Sequence, residues 1–351
     1  MTACPLVSET KHGRLFPIFV RQGRSPQHYK AGYIDRQGNI VVVATYDNAH
    51  PFREGLGCVR VKDLFAAVKS DGELAFDPIS HGSLTFTEGL STFSIKSKRG
   101  VIDRYGKVVL PPRYRSISHF SGGLACVSND EHLYGFINRE GYQVIPPFFE
   151  DARAFSEGLA AVKMNGKWGY ISASGSAVIE CRFECGRGAA GSFREGLARV
   201  AWDGRWGYIN PAGEFVIPPR FDMASEFSEG LGGVEIEKRR GFVNASGEMV
   251  VPICYRWADP FSEGLAAVSI GTGEAHKSVA EACETGFIDR SGTFRIPARF
   301  LSAGRFVGGL CLVEDEHCTG YIDHSGEFVW RAPYVEIGSL DPLHLLPPER
   351  D

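Results

Sequence analysis

Glycines recur along this chain at a fixed interval, and that interval restricts the fold more than any other feature. One series runs Gly38, Gly72, Gly106, Gly141, Gly175, Gly213, Gly247, Gly292 and Gly326, in steps of 34, 34, 35, 34, 38, 34, 45 and 34 residues. A second series, in the motif Phe-x-Glu-Gly, runs Gly55, Gly89, Gly123, Gly158, Gly196, Gly230, Gly264 and Gly309. Each of these lies 17 residues after its partner in the first series, except Gly196, which lies 21 after. A period of this length marks a repeat architecture in which each unit is one supersecondary element. It covers residues 15–338, leaving 1–14 as an irregular N-terminal segment and 339–351 as a C-terminal tail.

Each repeat reads as short strands. Leu159-Ala160-Ala161-Val162 is apolar, Asn165-Gly166-Lys167 is a turn, Trp168-Gly169-Tyr170-Ile171 is a second strand, and Ser176-Ala177-Val178-Ile179 a third. Several third strands end in Pro-Pro, at Pro111-Pro112, Pro146-Pro147 and Pro218-Pro219. Proline cannot donate a ladder hydrogen bond, so pairing is expected to stop there. A fourth extended piece, Phe221 to Phe227, leads into the next motif. Strands of this length with frequent turn signals predict antiparallel β structure throughout.

Individual positions have physical readings. Asp35, Asp103, Asn138, Ser172, Asn210, Asn244, Asp289 and Asp323 open the turn that the first glycine series closes, and Lys69 breaks the pattern. A left-handed glycine is expected there. The Gly of Trp-Gly lies within a strand, where a glycine is expected if a bulky neighbour, such as a ring from the adjacent repeat, lies across it. Phe52, Phe86, Phe120, Phe155, Phe193, Phe227, Phe261 and Phe306 are the expected core anchors, each stabilising by roughly 2–3 kcal/mol. Glu54, Glu88, Glu157, Glu195, Glu229 and Glu263 are expected to accept backbone hydrogen bonds at their own turns. A row of carboxylates binding cations or basic partners is the alternative. Gly122 and Gly308 replace the Glu without changing the spacing.

Composition narrows the function classes. The chain is 43% hydrophobic and 23% charged, as in folded globular proteins. The net charge of −4 argues against nucleic-acid binding through excess positive charge. No window is apolar enough for a membrane helix, and the N-terminus lacks the features of a secretory signal, so a cytoplasmic location is expected. Nine cysteines show no paired spacing, and Cys58 and Cys126 read as small buried apolar residues. No dinucleotide fingerprint, phosphate loop, zinc-protease motif or nucleophile elbow occurs, so no catalytic residue, metal or cofactor is expected.

The phrases FSEGLAAVKMNGKWGYI and FREGLARVAWDGRWGYI, with the Gly-x-x-x-Ile-Pro-Pro ending, resemble the WG-repeat family. Trp-Gly itself survives only at Trp168-Gly169 and Trp206-Gly207; Phe65, Arg99, Tyr134, Arg240, Thr285 or Thr319 hold the Trp position elsewhere. The resemblance implies β-rich modules and supplies no catalytic motif.

The expected fold is all-β, about nine antiparallel meander repeats in a twisted open array. A closed β-propeller is the alternative. Thirty-four residues are few for a blade, and nine exceeds the usual count. Two insertions depart from the repeat, around ECRFECGRGAAGS and SIGTGEAHKSVAEACE. The second is expected to form a short helix over Glu274 to Glu284. Loops on a rigid scaffold favour recognition. Arg182 and Arg187 in the first, His276 and Lys277 in the second, and Trp168 and Trp206 as exposed aromatics are therefore the candidate binding residues. The leading function is a non-enzymatic protein-interaction scaffold with a protein partner. A lectin-like or small-ligand binder and a propeller-type hydrolase are the alternatives.

Overall fold

The computed structural model describes residues 14–21, 29–184, 190–271 and 283–333. The described residues form nine antiparallel sheets of three or four strands, with strand order following the sequence. The chain divides into two compact units. The first three sheets belong to one unit and the last five to the other, and the division falls within the fourth, at Ser116 to Phe149.

The seventh sheet shows the plan. Its strands are Met223–Ser228, Leu231–Ile236, Arg239–Asn244 and Met249–Tyr255. One residue, Arg256, separates it from the first strand of the eighth sheet, Trp257–Ala258. The first strand of the fourth, fifth, eighth and ninth sheets is only two residues long. Two-residue first strands and one-residue connectors let about 34 residues complete a blade. The expectation of an open array is corrected: each repeat is built as a β-propeller blade. The length argument against blades failed because it assumed four full strands.

The Trp-Gly and Pro-Pro features explain each other. In the sixth sheet Trp206 pairs with Phe221 and Tyr208 with Ile217, so two residues of one strand face four of the next. The surplus forms a bulge at Pro218 and Pro219, where missing N–H groups are no loss. The bulge passes so close to the strand Arg205–Ile209 that a Cβ on Gly207 would lie 2.5 Å from the Ile217 carbonyl oxygen. At Gly169 the same atom would lie 2.5 Å from the Ile179 oxygen. The obstacle is thus backbone of the same sheet, not a ring from the adjacent repeat. Pairing does not stop at the prolines either: it resumes at Phe221.

Hydrophobic clusters lie between successive sheets. In the second unit, Trp168, Tyr170 and Phe183 of the fifth sheet pack with Phe193, Ala198 and Val200 of the sixth repeat. In the first unit, Tyr33 and Val42 pack with Phe52, Val59 and Val68. The eight motif phenylalanines are all buried, as expected. The residue after Trp-Gly meets the next repeat's Phe edge-on, with centroids 4.8 Å apart for Tyr33–Phe52 and Tyr208–Phe227 and 4.9 Å for Tyr170–Phe193. Such pairs add about 0.5–1.5 kcal/mol beyond the area they bury.

Polar latches reinforce this packing. The turn glycines of the first series have φ near +85°, as at Gly38 and Gly213. The Phe-x-Glu-Gly turns are two-residue hairpins in which Glu too is left-handed, with φ of 51° at Glu157 and 54° at Glu195. That conformation costs a non-glycine residue about 1 kcal/mol. The Glu does not serve its own turn, and the expectation is corrected. Glu195 Oε1 and Oε2 accept from the backbone N–H of Glu229 and Gly230, both at 2.7 Å, in the next repeat. Glu157 accepts from Glu195 and Gly196, and Glu263 from Gly308 and Gly309. In the first unit Glu54 accepts from Glu88 and Gly89, and Glu88 from Gly123. Serine hydroxyls bridge in the same sense: Ser156 Oγ donates to Phe193 O and Ser228 Oγ to Phe261 O.

Two substitutions test this frame in urea melts. Gly207→Ala is expected to lower unfolding free energy by about 3 kcal/mol, because a Cβ overlaps backbone that has no rotamer to change. Glu195→Gln is expected to cost about 1 kcal/mol, since the amide accepts at only one oxygen and carries no charge.

Candidate interaction surface

The sequence-derived site residues do not form a site. Trp168 and Trp206 are each 2% exposed, so the surface stacking expected of them is not available. Arg182 lies in the strand Ala177–Phe183 rather than in an insertion loop. Its guanidinium lies 5.2 Å from the Phe183 ring centroid and donates to Gly213 O at 2.7 Å. Arg113, Arg220 and Arg299 repeat the arrangement, donating to Gly141 O, Gly247 O and Gly326 O. Arg182 is therefore one of a structural series. The recurrence of Arg before a buried Tyr or Phe was the signal for it. Arg187, His276 and Lys277 lie outside the described residues, as does most of the helix expected over Glu274 to Glu284. Its last two residues, Cys283 and Glu284, lie in the strand Cys283–Asp289.

Exposed apolar side chains instead mark one edge of the second unit. In the fifth, sixth and seventh sheets the strand that follows the Phe-x-Glu-Gly turn meets the next strand in a tight hairpin. Asn165-Gly166 and Asp203-Gly204 turn left-handed, as do Glu237 and Lys238. The residue before the turn is Met164 in the fifth sheet and Trp202 in the sixth, 38% and 43% exposed. In the eighth sheet Ile270, 50% exposed, holds that place next to the end of its strand. Trp257, 44% exposed, starts the adjoining strand and pairs with Ser269, one residue from Ile270.

Charge-assisted bonds hold the hairpins rigid. Glu150 accepts from Gly166 N, Glu184 from Gly204 N at 3.1 Å, and Asp222 from Glu237 N at 2.7 Å. Glu150 and Asp222 each fill the single-residue gap between one sheet's last strand and the next sheet's first.

The two exposed indoles are held in different ways. Trp202 meets the buried Phe183 at 6.2 Å and Phe215 at 6.3 Å, both edge-on. Trp257 lies 3.8 Å beneath the Arg240 guanidinium, whose Nε donates to Glu235 Oε2 at 3.0 Å. Its indole Nε1 donates to Asp259 at 3.1 Å. Arg240 occupies the position that Trp168 and Trp206 hold in their repeats. Among the described residues no group of three or more His, Cys, Asp or Glu is placed to hold a metal ion. No described helix is long and apolar enough to cross a membrane.

Comparison with known proteins bears on fold and family. A crystal structure of a eukaryotic initiation factor aligns over 92% of this chain and 96% of its own, at 12% identity and a TM-score of 0.62. That likeness shows a shared fold, overturns the open array, and says nothing of activity. BamB from Moraxella catarrhalis aligns over 82% of this chain and 87% of its own at 12% identity, with a TM-score of 0.43. The WD40 β-propeller domain of Doa1 aligns over 64% of this chain and 90% of its own at 10% identity, with a TM-score of 0.34. Neither carries an argument at those scores. No curated protein matches the chain in sequence. The pattern described as "WG containing repeat" matches seven times, over residues 32–73, 100–131, 134–168, 168–205, 206–239, 241–271 and 286–316. These matches span more than half of the chain, which therefore belongs to the WG containing repeat family.

Proposed function

We propose that this chain is a non-catalytic protein-binding module, and that its partner docks on the hairpin edge of the second unit. One observation carries the reading: Met164, Trp202, Trp257 and Ile270 are all more than a third exposed at the same end of their sheets. Tryptophan and methionine are enriched in protein interfaces, and tryptophan dominates their energetic centres. The capped hairpins present these side chains on a rigid base, so little conformational entropy is lost on docking. Two indoles exposed on hairpin ends, where Trp168 and Trp206 are buried, are better suited to an apolar partner surface than to catalysis.

Trp257 also supplies a built-in reporter. Asp259 is 6% exposed, and burial pushes its carboxyl above the ordinary aspartate range. The charge of Arg305, the Trp257 indole N–H and the charge of Arg240 oppose that shift in part. A carboxyl raised in the folded state binds its proton more tightly there than in the unfolded chain. The ionised form therefore weakens the fold at neutral pH, and the penalty disappears as pH falls through the folded value toward the unfolded one of about 3.9.

Two outcomes are expected. Trp202→Ala/Trp257→Ala should release partners that co-purify with the wild-type chain, by tenfold or more, while the far-ultraviolet spectrum stays unchanged; undiminished capture by the double variant would remove the reading. Tryptophan emission should show a titration centred above the usual aspartate pKa of about 3.9, and Asp259→Asn should abolish it.

A further inference from the structure

The carboxylate ladder leaves a docking position unfilled. Six Phe-x-Glu-Gly turns receive a carboxylate from the preceding repeat, on one or both of their outward N–H groups. The turn of Glu157 and Gly158 does not: among the described residues no acceptor reaches either N–H. Its counterpart one repeat earlier is Gly122, which has no side chain to offer.

The turn is nonetheless built like the filled ones. Glu157 and Gly158 have φ of 51° and 82°, against 54° and 77° at Glu195 and Gly196. Ser156 and Leu159 exchange backbone hydrogen bonds of 2.8 and 3.0 Å, as Arg194 and Leu197 do at 2.9 and 3.0 Å. Both turn residues are solvent-exposed. The carboxylate of Glu157 is already committed to Glu195 N and Gly196 N, so it does not compete for its own turn.

We infer that the backbone N–H pair of Glu157 and Gly158 is a receptor for a carboxylate from outside the fold. Two adjacent N–H groups of a left-handed turn form a concave anion site, and the molecule itself shows which anion fits. At Glu195 and Gly196 a carboxylate spans the two donors with contacts of 2.6 and 2.9 Å. The occupant is an acidic group of a peptide or protein, either a Glu or Asp side chain or a chain terminus. The position lies at the start of the strand Leu159–Met164, whereas Met164 is at its far end. It is therefore separate from the hairpin edge, and either reading can fail without the other. Among the described residues no acceptor reaches the N–H groups of Glu54 and Gly55 either.

Amide chemical shifts of the full chain test this directly. Two probes are used: an acetylated, amidated Gly-Glu-Gly peptide, and acetylated Gly-Gly-Gly with a free carboxyl end. At least one should move the Gly158 amide saturably downfield while Gly196 and Gly230 stay still, and their relative strength separates side chain from terminus. In Glu157→Gly, which copies the residue found at Gly122 and Gly308, the Gly196 amide should become responsive as well. Glu229→Gly should do the same for Gly264 and stands in if the first variant folds poorly. Absence of a saturable Gly158 shift overturns the inference. So does an equal response to acetylated, amidated Gly-Gly-Gly, or equal movement at Gly158, Gly196 and Gly230.

Discussion

The architecture depends on one close crossing. In each regular repeat the last strand bulges over the glycine of the strand beside it, with room for a hydrogen atom and nothing larger. At Gly100, Gly135, Gly169, Gly207 and Gly241 an added Cβ would lie 2.4–2.5 Å from a carbonyl oxygen of the bulged strand. The crossing carries the chain toward the next sheet within a few residues, so the connector can be a single residue and the first strand only two. A longer connector would need its own backbone partners, and a 34-residue repeat could not supply them. Proline at the bulge fits the same logic. Its missing N–H sits where the ladder is already broken, and it blunts an edge strand that would otherwise recruit another chain.

Cohesion between neighbours follows from that geometry. Six repeats join the next through an aromatic pair, four through a carboxylate on two backbone N–H groups, and four through an arginine on a turn carbonyl. Stability in such a chain is approximately a sum of repeat terms and nearest-neighbour terms. The left-handed Glu shows the trade in small form. Its backbone conformation costs about as much as a modest hydrogen bond contributes. It is kept because its position aims the carboxylate at the next turn rather than its own. Where glycine takes that place, at Gly122 and Gly308, the strain and the latch disappear together.

Much of this was legible in the sequence. Periodic glycines fixed the repeat length, alternating apolar runs fixed the strands, and the motif phenylalanines were read as core, as found. What the sequence left ambiguous was mostly contact between repeats. A Glu that serves its own turn and one that serves the next have the same local pattern, because the period brings every turn to the same place beside its neighbour. Arg182 was misread for a related reason. It sits beside an insertion, and its membership in the series Arg113, Arg220 and Arg299 shows only when the strands are aligned by register. Ring against array failed on strand length: a two-residue strand has no periodicity to detect.

The exposed surface was least legible, since it lies where a residue breaks a repeat position without disturbing the fold. At Trp168 and Trp206 an indole fills the space between sheets. In the seventh repeat Arg240 stands there instead, its charge met by Glu235, and the indole appears at Trp257 on the outer side of the guanidinium. Arginine can make that exchange because its planar face stacks on an aromatic while its N–H groups satisfy a carboxylate. Lysine would lose the stacking, and an apolar residue would leave Glu235 without its partner. The substitution thus moves an aromatic from the core to the surface while the half-buried site stays electrically balanced. It turns a structural repeat into one that presents a ring to solvent.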